Sequence, residues 1–275
     1  MKKFICLSMA FLTTNLSTYA QQPETIKEKK EVKKESKHKN NDNDNGNWNN
    51  WNNWGDGERV RGEGSTVTET RDVKNFKGFK SGISADIILK QTSGSYKVTV
   101  SGQKNILSLL KTEVVDGNLK IGFEKGYSIG YNEPLKITLE APSFDYLGMS
   151  GSGNVVAEGT LSGEKLTVNI SGSGDFDLNN IKYGDLSVGI SGSGDVDLAG
   201  SVESVDLRIS GSGDLKAENL KAQKAHCTVS GSGNISLNVT KELDATISGS
   251  GDIRYSGKPA SVRTRVSGSG DIKAR

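Results

Sequence analysis

Asp175, Asp195 and Asp214 stand 20 and 19 residues apart, and each follows the same Ser-Gly-Ser-Gly tetrapeptide. Carboxylates gathered into one column by a repeat would suit a hard cation such as calcium, which takes oxygen ligands. A second group, Asp206, His226 and Asp244, is spaced at 20 and 18 residues. An imidazole stacked between two carboxylates could hold a metal or act as an acid–base pair. Cys227, beside His226, is a third candidate. Each group also has a plain structural reading. Asp and Asn at turns bond nearby backbone amides, a solvated strand face carries scattered charge, and a free cysteine is commonly a small core residue. The structural reading is the one expected at all three places. No catalytic residue, metal site or cofactor is therefore expected.

What would position these groups is a repeat. Ser-Gly-Ser-Gly begins at Ser150, Ser171, Ser191, Ser210, Ser230, Ser248 and Ser267, followed by Asp at five copies and by Asn154 and Asn234 at two. The corner glycines are Gly151, Gly153, Gly172, Gly174, Gly192, Gly194, Gly211, Gly213, Gly231, Gly233, Gly249, Gly251, Gly268 and Gly270. Glycine is expected there to supply backbone angles that a Cβ obstructs. The serines, stacked one strand apart, are expected to bond along their column.

Between corners each period reads alike. After Asp195 come Val196-Asp197-Leu198, a six-residue connector, and then Val205 to Ile209. The second strand alternates apolar and polar, as in Leu186-Ser187-Val188-Gly189-Ile190, which marks a strand with one buried face. Such a unit cannot bury its apolar face alone, but stacked copies share a continuous interior. A propeller blade needs about 40 residues, twice this period. The fold expected is all-β, a right-handed parallel β-solenoid, since parallel crossovers overwhelmingly turn that way. In this register Cys227 falls on an inward column and His226 on an outward one. The inward residues include Phe176.

The first twenty residues read as a secretory signal peptide: Lys2 and Lys3, an apolar run from Phe4 to Leu12, and small residues ending at Ala20. They take away two lysines and no acid, so the chain from residue 21 balances 33 basic against 33 acidic groups. That neutrality gives no general attraction to nucleic acid. Only Cys227 remains beyond the signal, which excludes an internal disulfide in the mature chain. Residues 21–57 read as a disordered linker, Lys/Glu-rich and then Asn-rich with Trp48, Trp51 and Trp54. Residues 58–146 read as a non-repetitive β region. A hairpin turn falls at Asp116-Gly117 and a short helical turn at Ile106–Leu110. Residues 147–275 read as a seven-repeat solenoid.

Enzymes that act on polysaccharides also use β-helices, with convergent acids and bases in an aromatic-lined groove. The solenoid half holds only Phe176, Tyr183 and Tyr255 as aromatics, and its connectors are too short for cleft walls. An export product without catalysis is expected, in the periplasm, at the outer-membrane surface or secreted. A surface glycan or an envelope protein is the partner class left open. Arg254, Arg263, Arg265, Lys273 and Arg275 crowd the last turns, so a monomer is expected.

Gly62-Glu63-Gly64 with Thr66–Val73, and then Phe79-Lys80-Ser81-Gly82-Ile83-Ser84-Ala85-Asp86-Ile87, resembles the opening of the head GIN domain. That family is also labelled autotransporter adhesin and occurs in exported proteins of Bacteroidetes-type bacteria. Val114–Phe123 and Leu135–Pro142 are similar to its middle, and the seven corners to its end. The resemblance implies a β-helical envelope-associated or secreted domain with no established activity and no catalytic residues to carry over.

Overall fold

A computed structural model describes residues 57–275. The signal segment and the tryptophan-bearing tail up to residue 56 lie outside the described residues. Stacked parallel coils make a β-solenoid of about 6 turns with roughly 20 residues per turn. The register is that of the corners. Ile170, Ile190, Ile209, Val229, Ile247 and Val266 form one column, each paired in parallel with the next. The ladder runs on through the corner itself: Ser191 N donates to Ile170 O at 2.8 Å and Ser193 N to Gly172 O at 3.1 Å. Alternation along each strand sends every second side chain inward, so Val168, Val188, Leu207 and Cys227 are all at most 1% exposed.

The connectors are not loops. They form a third buried side of the coil, continuous with the strands on either hand, as in Asp175–Ile190 and Val196–Ile209. Leu161, Ile181, Leu220 and Val239 point inward from it, each at most 1% exposed. The ladder slips between Leu178 and Ile181, between Asp197 and Ala199, and between Ala217 and Lys221. These slips absorb the uneven repeat length. They also break the period-two pattern that would otherwise mark the side in the sequence.

The stacking reaches further toward the N-terminus than the seven corners indicate. Gly78–Ser81 and Asp86–Gln91 pair in parallel with Tyr146–Met149 and Asn154–Glu158. The turn between them, Ser81-Gly82-Ile83-Ser84-Ala85, is a corner that lacks the tetrapeptide but keeps its bonding: Ser150 N donates to Ser81 O at 2.9 Å and Ala85 N to Ser152 O at 3.1 Å. Below that lap lie Asn118–Phe123 and Lys136–Ala141, again parallel. Chain order and stacking order therefore differ, because residues 118–141 tuck beneath residues 78–91.

Antiparallel strands finish this end. Leu110–Val115 hairpins onto Asn118–Phe123 through Asp116 (φ 50) and Gly117 (φ 74), the turn expected there. Lys97–Gln103 covers Lys136–Ala141, and Thr66–Arg71 covers Lys97–Gln103. The helical turn sits at Lys104–Leu107, and Leu110 already belongs to the next strand. Its Ile106 and Leu107 are 1% and 0% exposed, and they plug the core. No helix among the described residues is long and apolar enough to cross a membrane.

Candidate functional site

The corner column is the most repeated surface of the molecule, and its geometry departs from the expectation in two ways. Of the fourteen corner glycines only Gly153 has a left-handed backbone, at φ 112. The others are glycine because consecutive laps pass too closely. A Cβ on Gly192 would be driven into the carbonyl oxygen of Gly172, and one on Gly211 into that of Gly192. The serines, too, differ from the expected column. Only Ser84 and Ser152, at the irregular first corner, join hydroxyls, at 2.7 Å. Ser171, Ser191, Ser210, Ser230 and Ser248 are exposed, as are Ser173, Ser193, Ser212, Ser232 and Ser250.

The acids of the corner do bond, but from lap to lap. Asp175 Oδ1 accepts from the Asp195 amide at 2.8 Å, and Asp195 Oδ1 from the Asp214 amide at 2.7 Å. Asp214 Oδ1 takes both the amide and the side-chain nitrogen of Asn234, at 2.8 and 2.9 Å. Asn234 and Asp252 continue the ladder to Asp271. At the other end Asp86, which the sequence reading did not place in the column, accepts from Asn154. An acceptor suffices at each step, and this is why Asn can replace Asp. Asp214→Ala should therefore cost about 1–2 kcal/mol by stranding the Asn234 amide, while Asp214→Asn should stay close to the parent. Urea unfolding of the two variants checks this.

Asp206, His226 and Asp244 are brought into line as expected, as direct register partners. They do not act as a unit. Arg208 grips Asp206 through two hydrogen bonds at 3.0 and 2.7 Å. Arg263 reaches Asp244 at 3.3 Å, with Arg265 at 3.8 Å. His226, exposed, has its Nε2 3.5 Å from the Thr228 hydroxyl. Among the described residues, no group of three or more His, Cys, Asp or Glu is arranged to hold a metal ion. Cys227 is buried as expected, and burial raises its thiol pKa, with Asp206 and Asp244 adding to the effect. The thiolate is the reactive form, so iodoacetamide should leave Cys227 unmodified in the folded protein and label it in denaturant. Mass spectrometry reads the difference.

Other contacts escaped sequence reasoning. Tyr183, counted in the sequence only as one of three aromatics of the solenoid half, is 5% exposed and donates its hydroxyl to Phe144 O at 2.8 Å. Lys80 sits 5.4 Å over the Tyr146 ring, and Asn169 donates to the Tyr146 hydroxyl at 3.3 Å. Only the lap-to-lap pairing brings Lys80 and Tyr146 together. A shallow open depression on the third side is lined by Lys182, Ser201, Glu203 and Gln223 around Tyr183 and Val202. It has no convergent acid–base pair.

No curated protein compared with the chain matches it. Among solved structures, a "putative adhesin" from Bacteroides fragilis is 28% identical with a TM-score of 0.75, covering 78% of this chain and 100% of its own. A "Putative lipid binding protein" from Parabacteroides distasonis is 27% identical with a TM-score of 0.68, covering 79% and 100%. A "putative adhesin" from Parabacteroides merdae, at 24% identity and a TM-score of 0.64 over 79% of this chain and 99% of its own, shares the fold. The family model described as "Putative auto-transporter adhesin, head GIN domain" matches residues 75–259, leaving Gly62–Val73 and the seventh corner outside. On that match, the chain belongs to the head GIN domain family.

Proposed function

We propose that this chain is an exported, non-catalytic protein of the cell envelope or surface, working as an adhesin-like binding module. The observation that carries the reading is the corner column. It offers two exposed serines at each regular lap, set on a backbone that the acid ladder and the close-passing glycines hold in register. Such a surface suits repeated weak hydrogen bonds to an extended, hydroxyl-rich polymer, and a surface glycan is the partner class it fits. The family description and the adhesin names of its structural relatives support the same direction. Binding of the mature chain from residue 21 to a glycan array, with and without residues 21–57, tests it. Retention of one glycan class by both forms is expected, and no binding by either would overturn the reading.

A structural scaffold inside the envelope is the second reading, favoured by the same rigidity. Surface proteolysis of intact cells separates the two, since a periplasmic scaffold stays protected. Catalysis on a polysaccharide finds less support, because the acids beside His226 are engaged by arginines. Loss of polysaccharide on incubation, abolished by His226→Ala, would restore it.

A further inference from the structure

The two ends of the solenoid are finished differently. At one end the helical turn Lys104–Leu107 and antiparallel strands cover the core. At the other, the strand Ser261–Val266 pairs with Glu242–Ile247 on one side and with nothing among the described residues on the other. Its inward residues Val262 and Val266 are 44% and 48% exposed, although the residues they stack on, Leu243 and Ile247, are 2% and 0% exposed. Ser267 N donates to Ile247 O at 2.9 Å. Strand alternation therefore turns the amides of Val262, Thr264 and Val266 outward. The corner is open as well: Asp252 holds the Asp271 amide at 2.9 Å, while the Asp271 carboxylate, among the described residues, bonds Lys273 of its own lap and no next lap.

We infer that this edge is a docking site for an extended segment of another protein that alternates apolar and acidic residues and adds as one more strand. The edge already shows which strand fits it. Its present neighbour supplies Leu243, Ala245 and Ile247 to the core and turns Asp244 outward to Arg263 and Arg265. Two arginines thus share one carboxylate, so an incoming acid has a charge to meet. A second copy fits less well. Antiparallel pairing of two such edges about Thr264 would set Arg263 against Arg265 of the other copy, and like charges directly opposed are unfavourable. This edge is distinct from the serine column, and docking there does not depend on glycan binding.

The probe is a fluorescent peptide with the sequence of residues 240–256, the lap that pairs with this edge, added to the full chain and followed by anisotropy. Saturable binding is expected, weakened about tenfold or more when lysine replaces the aspartate equivalent to Asp244. Thr264→Pro removes an outward amide at an edge position where proline is tolerated, and it should abolish binding while leaving the melting temperature near that of the parent. Should that variant unfold, the double change Arg263→Glu, Arg265→Glu serves instead and should reverse the preference toward the lysine peptide. Absence of saturable binding, or binding indifferent to these charge changes, would overturn the inference. So would sedimentation showing a stable dimer through this edge, which would make a second copy the occupant.

Discussion

Gly211→Ala should destabilise the solenoid by about 3 kcal/mol, a large effect for the addition of one methyl group. The added Cβ would meet the carbonyl oxygen of Gly192, with Ser191 O close behind. Both are backbone atoms of the lap below, so no side-chain rotation relieves the clash. Relief requires the laps to part, which stretches the bonds from Ser210 N to Ile190 O and from Ser212 N to Gly192 O, at 2.8 and 3.0 Å. The control is Gly189→Ala on the neighbouring flat strand. There a Cβ meets only the Asn169 side-chain oxygen, at 3.0 Å, and that group can swing away. A change within about 0.5 kcal/mol is expected, with a gain in strand preference working in its favour. Chemical denaturation with fitted midpoints and slopes compares the two. An equal loss at both positions would mean that close passage is not what requires glycine at the corner.

The corner also shows what could and could not be read beforehand. Its spacing predicted stacking, the inward place of Cys227 and the alignment of Asp206 with His226 and Asp244, because the side-chain period of a strand is two and the repeat is regular. The reason for its glycines was less legible. Left-handed turns and close backbone approach both select glycine, and only coordinates distinguish them. The third side was hidden by slips in the ladder at residues such as Ala199 and Lys221. The first lap was hidden because Ile83 and Ala85 stand in its turn, both 3% exposed, where the regular corners carry glycine. Residues 118–141 could not be placed beneath residues 78–91 by any repeat, since their position depends on a step back in stacking order.

The same distinction between repeated and singular features bears on the candidate site. Repetition made the acid column visible, but its chemistry depends on which atom faces the next lap. From Asp175 to Asp252 each carboxylate or amide oxygen accepts from the amide of the lap above, a direction that the residue types alone do not contain. The arginines that take up Asp206 and Asp244 were equally undetermined. Arg208 lies only two residues from its acid, whereas Arg263 meets Asp244 across a lap.

Phe176→Ala is expected to cost about 3–5 kcal/mol, the range for removing a fully buried aromatic side chain. Phe176 is 1% exposed and belongs to a column that rises through Ile87, Val155, Phe176, Val196, Leu215 and Ile235. It is the one aromatic side chain of that series. Its neighbours above and below are valines, too short to fill the space left behind. Relaxation is further limited because the corner fixes the distance between laps on one side and the third side fixes it on the other. Phe176→Leu keeps most of the volume and should lose about 1 kcal/mol. Stability in a stacked architecture is carried largely between nearest neighbours, so the damage should also be localised. Hydrogen exchange should quicken first in the laps holding Val155 and Val196, with the amides around Ile253 the last to follow. Uniform loss of protection along the whole ladder would instead mean that the coils open as one cooperative block, and a single cavity would then weaken both ends equally.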